Sequence, residues 1–251
     1  MVLVFLLVAC SAPSNSSGTS DTGASPTSSS VSSPSQEGSS EPDSVPGSES
    51  TSPFAQLPQL QGNATVVLKV NGKTITLAID GNNAPITAGN FIDLVDKEVY
   101  NGTAFHRVVR SPSPFVVQGG DPQSKDPNFP VQRLGTGSYI DPETKEPRYV
   151  PLEILPEGAE QATYSKTLQS AGVNQLPKLK HTKGAVAMAR SQLPDSASAQ
   201  FYFTLENIDF LDGNYAVFGY VTEGMDVVDQ IQQGDRIESA KVTAGIENLK
   251  R

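Results

Sequence analysis

The stretch Phe105-His106-Arg107-Val108-Val109, followed closely by Val117-Gln118-Gly119-Gly120-Asp121, decides how this chain reads. It sets one permanent cation and one neutral amide on either side of a short loop, each flanked by apolar residues that favour strands. A third piece lies downstream in Gly184-Ala185-Val186-Ala187-Met188-Ala189-Arg190 and Ala197-Ser198-Ala199-Gln200-Phe201-Tyr202-Phe203-Thr204. A fourth is Phe210-Leu211-Asp212-Gly213-Asn214-Tyr215-Ala216-Val217-Phe218-Gly219.

Around these pieces, strands are expected at 104–110, 114–119, 149–154, 184–190, 199–205, 216–222 and 237–243. Upstream, 63–70 and 73–79 are rich in β-branched residues and are separated by Asn71-Gly72, a strong hairpin signal. After Ala84-Pro85, the residues Ala88, Phe91, Ile92, Val95 and Val99 recur at helical spacing. Thr87 as N-cap or Pro85 in the first turn would start that helix, and Asn101-Gly102 would close it. A second helix fits Met225, Val228 and Ile231, ending before Gly234. Residues 122–183 carry much Pro, Gly and charge, with 156–180 reading as an extended surface loop. The pattern alone gives an all-β or α+β domain. Some eight strands and two helices point further, to a mostly β fold: a closed antiparallel barrel capped by a helix at each open end.

Composition bounds the rest. Residues 11–53 are dominated by Ser, Pro, Gly and Thr and hold no aromatic residue, Lys or Arg. Such a segment cannot bury enough apolar surface to offset its chain entropy, so a disordered linker is expected over 11–55 and one folded domain over 56–251. The net charge of −9 includes five uncompensated acids in the linker (Asp21, Glu37, Glu41, Asp43 and Glu49), so the domain itself is only mildly acidic. No clustered basic face speaks for nucleic acid. The apolar run Met1–Cys10 is too short to span a bilayer, which takes about 20 residues, but has the size of the end of a signal peptide. Leu7-Val8-Ala9-Cys10 resembles a bacterial lipobox, although no basic residue precedes it. A lipidated Cys10 implies an extracytoplasmic lipoprotein, held roughly 35 Å from its membrane by a flexible tether.

The four pieces, in this order, resemble the cyclophilins, the peptidyl-prolyl cis/trans isomerases, over roughly residues 63 to 243. The resemblance implies the same eight-stranded barrel and an activity on unfolded or partly folded polypeptides containing X-Pro bonds. In that family the Arg of the Phe-His-Arg motif is the donor to the twisted amide, which here is Arg107. Gln118 would bind substrate backbone and orient Arg107, and Phe115, Val116, Tyr202 and Leu211 fall where the family forms its proline pocket. Ala189, Arg190, Gln200 and Tyr215 match positions along the binding groove. Tyr202 stands where Phe is more usual, so its hydroxyl needs a partner. Arg190 stands for Asn, and the loop after it is one residue longer, both in the manner of bacterial members. Phe210 and Tyr215 replace a Trp and a His of strongly cyclosporin-sensitive members, which implies weak cyclosporin binding.

Isomerisation requires no nucleophile, proton transfer or metal, so His106 is expected to support the fold. With no Cys in the domain and only His106 and His181 as histidines, no metal or other cofactor is expected. Asp121, Asp126 and Glu143 lack the spacing of a calcium loop. Ser191, Ser196 and Ser198 have no Gly-x-Ser-x-Gly elbow to support a hydrolase. The competing reading is a binding module that holds Pro-containing segments of one partner without turnover, with 122–183 as its docking surface. A monomer is expected.

Overall fold

The computed structural model describes residues 54–251. The proposed lipidation site at Cys10, and the expected linker up to residue 53, lie outside the described residues. In chain order the elements are β1 (Gln59–Leu60), β2 (Asn63–Val70), β3 (Lys73–Asp80), α1 (Pro85–Asp96), β4 (Arg107–Val108), β5 (Val116–Gly119), β6 (Glu153–Ile154) and β7 (Thr163–Tyr164). They continue with β8 (Ala185–Met188), β9 (Phe201–Thr204), β10 (Val217–Glu223), α2 (Met225–Val228), β11 (Ile237–Ala244) and β12 (Leu249–Lys250). Eight strands form one antiparallel sheet in the order β11-β2-β3-β10-β8-β9-β5-β4, while β1 pairs with β12 and β6 with β7.

The β2–β3 hairpin forms as its sequence dictates. Asn71 and Gly72 both take positive φ (51° and 74°), the backbone of the two-residue turn whose twist matches that of the strands. The turn sets the register, with Val66 opposite Leu77 and Leu68 opposite Ile75, all four side chains inward. Pro85 opens α1 after Ala84, so the N-cap is not Thr87. Thr87 instead joins the backbone N–H of Ile86 and its own N–H in bonding the buried Glu153 carboxylate, which satisfies donors the helix leaves free at its start. The helix stops at Asp96, so Val99 and Asn101-Gly102 lie beyond it. Its Phe91 packs at 5.0–5.3 Å against the rings of Tyr100, Phe201 and Phe218, the centre of the core.

Three expectations need correction. The sheet does not close into a barrel by strand pairing. Its edges, β4 and β11, share no ladder, because β4 is only two residues long before the Pro112 and Pro114 loop. What joins the edges is a seam: an isolated bridge between Ala104 and Arg236, with backbone bonds from Gly102 to Ile237, Ile237 to Thr103, Phe105 to Asp235 and Gly234 to Phe105. The second helix is a single turn, which ends before Ile231. Residues 149–154 supply no strand to the main sheet; Pro151 lacks the N–H a ladder needs, so Val150 makes only an isolated bridge to Ala197, and Glu153–Ile154 pair with β7.

The strands β5, β8 and β9 are buried on both faces. Val117, Val186, Met188, Phe201 and Phe203 face the main core, while Val116, Ala185, Ala187 and Tyr202 belong to a second apolar cluster on the opposite face, with Ile208 and Val217. That second face carries the site.

Candidate functional site

Register alone builds the site as a row across the sheet. Arg107 on β4 lies opposite Gln118 on β5, Gln118 opposite Tyr202 on β9, Tyr202 opposite Ala187 on β8, and Ala187 opposite Val217 on β10. Directly opposed residues share a face, so a cation, an amide and a phenol stand in line along one surface.

A cavity of about 210 Å³ opens on this row, lined by Arg107, Phe115, Val116, Gln118, Ala189, Arg190, Tyr202, Leu211 and Tyr215. These are the residues anticipated from the sequence, with the exception of Gln200. Gln200 lines a larger groove of about 550 Å³ alongside, which shares Gln118, Ala189 and Arg190 with the first. Arg107 is exposed at the rim, and its guanidinium lies 5.6 Å from the Phe115 ring centre. Phe115 in turn stacks on the exposed Phe210, centroids 6.0 Å apart and planes at 10°.

A directional chain of hydrogen bonds leads to Arg107. The Gly137 carbonyl can only accept, and takes a bond from Gln200 Nε2 at 2.8 Å. Gln200 Oε1 therefore accepts from Gln118 Nε2 at 3.2 Å, leaving Gln118 Oε1 to accept from Arg107 Nη1 at 3.3 Å. Behind the chain, the buried Asp121 carboxylate accepts from the backbone N–H groups of Gln123, Gly135 and Gly137 at 2.6–3.2 Å, which holds the loop bearing that carbonyl.

Arg190 lines both cavities, as expected, and its guanidinium is engaged within the protein. It donates to the carbonyls of Asn214, Ser191 and Gln192 and lies 4.6 Å from the Tyr215 ring centre. It thus ties the loop after β8 to the turn beside Tyr215, a guanidinium packing its plane on an aromatic face. His106, the residue before Arg107, is half-buried. Burial, the largest influence, lowers its pKa and keeps the ring neutral. Among the described residues, no group of three or more His, Cys, Asp or Glu is arranged to hold a metal ion, and no helix is long and apolar enough to cross a membrane.

Sequence reasoning passed over Asp121 and Gly137 as parts of the site, and read Phe210 only for its bearing on cyclosporin. Asp121 had a signal, its place at the end of the Gln118-Gly119-Gly120-Asp121 run. Gly137 acts through its backbone and had none.

Comparison with known proteins adds the following. Residues 65–250 match the family model described as cyclophilin type peptidyl-prolyl cis-trans isomerase. A protein of Synechocystis, provisionally named a thylakoid lumen peptidyl-prolyl cis-trans isomerase, is 43% identical over 78% of this chain and 51% of its own length. The chloroplastic peptidyl-prolyl cis-trans isomerase CYP38 of Arabidopsis thaliana is 37% identical over 83% of this chain and 49% of its own. The chain thus spans about half the length of these two curated relatives. A solved cyclophilin type isomerase from Cryptosporidium parvum superposes with a TM-score of 0.53 over 72% of this chain and 98% of its own, at 20% identity, a likeness of fold.

Proposed function

This chain belongs to the cyclophilin-type peptidyl-prolyl cis/trans isomerases, and from that premise we propose that its cavity of about 210 Å³ speeds rotation about X-Pro bonds. The observation that carries the reading is a fixed cation, Arg107, aimed across the rim of a cavity with an apolar floor and walls.

Rotation about the peptide bond breaks amide resonance, a barrier of about 20 kcal/mol. Removing roughly 5.5 kcal/mol of it accelerates the reaction about 10⁴-fold. At the top of the barrier the proline nitrogen has regained its lone pair, so a donor aimed there favours the twisted form over both planar ones. Arg107 supplies that donor. A charge-assisted hydrogen bond of this kind is worth about 1.5–3 kcal/mol, and the Gln118–Gln200–Gly137 chain holds it in position before substrate arrives. Val116, Phe115, Tyr202, Leu211 and Tyr215 grip the proline ring while the acyl side turns. Ala189, Arg190, Gln118 and Gln200 offer groove surface and polar groups to the flanking backbone.

The test is cis-to-trans isomerisation of a short X-Pro peptide by the 251-residue chain and its Arg107→Ala variant. Fast turnover with a large loss in the variant supports the enzyme. A folded wild type without turnover sinks it and leaves the binding-module reading.

The reading extends to location and clients. The compartments named for the two relatives, together with Leu7-Val8-Ala9-Cys10, support a place outside the cytoplasm with a tether through lipidated Cys10, where the protein, taken as a monomer, would act on unfolded or partly folded polypeptides. Fatty-acid labelling that persists in Cys10→Ala would exclude that tether. Weak cyclosporin binding belongs to the same reading, and a titration giving nanomolar affinity would overturn it.

A further inference from the structure

We propose that His181 is a positioning residue of the proline pocket: it fixes the Tyr202 ring by its hydroxyl, and Asp212 fixes His181. The proposal rests on the isomerase reading above. Tyr202 lines the cavity and stands edge-on to Tyr215, ring centres 6.2 Å apart. Its hydroxyl is 3.0 Å from His181 Nε2, within a buried pair whose rings lie nearly parallel. On the far side of the imidazole, Nδ1 is 2.8 Å from Asp212 Oδ1, which also accepts the backbone N–H of His181 at 2.8 Å. Asp212 directly follows Leu211, another wall of the cavity, and the Ile208 N–H donates to the His181 carbonyl. One imidazole therefore fastens floor and wall of the pocket to the end of the long 122–183 region.

The direction of these bonds is determined. A carboxylate only accepts, so Nδ1 carries the proton and Nε2 is left as an acceptor. Burial raises the pKa of the Tyr202 hydroxyl, which stays protonated and donates to Nε2. Burial also lowers the pKa of His181, against the opposing pull of Asp212, so the ring is neutral near pH 7. Without the acceptor, a buried hydroxyl is left unpaired, and the phenol ring must turn or admit water to satisfy it. A Phe at position 202 would impose no such demand. His181 matters to catalysis because residue 202 is Tyr.

The experiment compares the 251-residue chain with His181→Asn and His181→Gln, each alone and combined with Tyr202→Phe. Asn retains a donor near the place of Nδ1 but falls short of Tyr202, whereas Gln reaches it. His181→Asn is expected to raise KM about fivefold with kcat within about twofold, as for loss of one neutral hydrogen bond. His181→Gln should recover most of that loss, and the Asn effect should vanish in the Tyr202→Phe background. An equal loss in both backgrounds overturns the proposal. A measurement on the unmutated chain guards against misfolded variants. With only two histidines, nitrogen-15 NMR should resolve a Nδ1-protonated His181 whose Nε2 resonance moves when an Ala-Pro peptide saturates the site. A Nε2-protonated ring, or a resonance that stays put, overturns the proposal. Absent wild-type turnover would sink the isomerase reading alone; the same cycle, read on peptide Kd, still decides His181.

Discussion

The two halves of the eight-stranded sheet are held by different means. In one half, β11, β2, β3 and β10 run for seven or eight residues, and β2 and β3 bury alternate side chains. In the other, β8, β9, β5 and β4 are two to four residues long. Their geometry depends on side chains: Asp121 gripping the 135–137 loop, Gln200 and Gln118 passing orientation to Arg107, and the Tyr202–His181–Asp212 unit. Long ladders leave little backbone free to make a site. Short ones hand their chain over to loops, and the loops must then be fastened residue by residue. Mutations in the first half should change how much protein folds, and mutations in the second should change what the folded protein does.

The largest effect is expected of Phe91→Ala on α1, outside both halves, which empties the place where the helix meets Phe201 of one half and Phe218 of the other and so sets the scale for a loss of folding alone. About 4 kcal/mol of stability should be lost, read as a lower denaturant midpoint, with activity per folded molecule retained. Next is Asp93→Asn. Asp93 is buried and bonded to Lys97, Arg148 and Arg251 at 2.7–2.9 Å, so about 3 kcal/mol should go. Burial pushes its pKa up, but the bonds from Arg251, Lys97 and Arg148 outweigh burial and leave it lowered. The unfolded chain thus takes up the proton first as pH falls. The contribution is complete above the ordinary Asp value of 3.8 and is lost as pH drops through the lower folded pKa. Melts across that range should show an acid limb that Asp93→Asn weakens.

Arg107→Ala should cut kcat/KM roughly 100-fold while stability stays within about 0.5 kcal/mol. A stability loss as large as that of Phe91→Ala would erase the distinction between halves. In Gly137→Ala the new Cβ would collide with the Asp121 carboxylate, displacing the carbonyl that orients Gln200. A fall of about tenfold in kcat/KM is expected, seen in the same peptide assay. The smallest effect is that of Gly72→Ala, where Cβ meets open space but φ is +74°. About 1 kcal/mol of stability should be lost, with kcat/KM unchanged.

The same division explains what the sequence disclosed. The β2–β3 hairpin was legible because its signals are local: Asn-Gly in the turn and a period of two along strands with a polar outer face. In β9 the period is still present, Phe201 and Phe203 to the core and Tyr202 to the cavity, but all three are buried. Alternation between two apolar environments leaves no trace in hydropathy, so the pocket residues were reached only through family resemblance. The 149–154 segment misled because an apolar run with Pro151 inside it was read as a sheet strand. The β1–β12 pair, Leu60 opposite Leu249, joins residues too distant for any local signal. His181 and Asp212 were hidden for the same reason, since what makes them part of the site is the hydroxyl of a residue on another strand.

The seam between the sheet edges has a consequence for motion. Breaking the backbone bonds of Gly102, Phe105, Gly234 and Ile237, with the Ala104–Arg236 bridge they flank, would separate β4 from β11 without opening any strand ladder. Arg236 resists this by bonding the carbonyls of Gly102 and Ser124. Local openings follow the least protected boundary, so these amides should exchange with deuterium ahead of those in the β2–β3 ladder. Phe105 lies two residues from Arg107, so the cation proposed to act on substrate rides on a part expected to open before the β2–β3 ladder does.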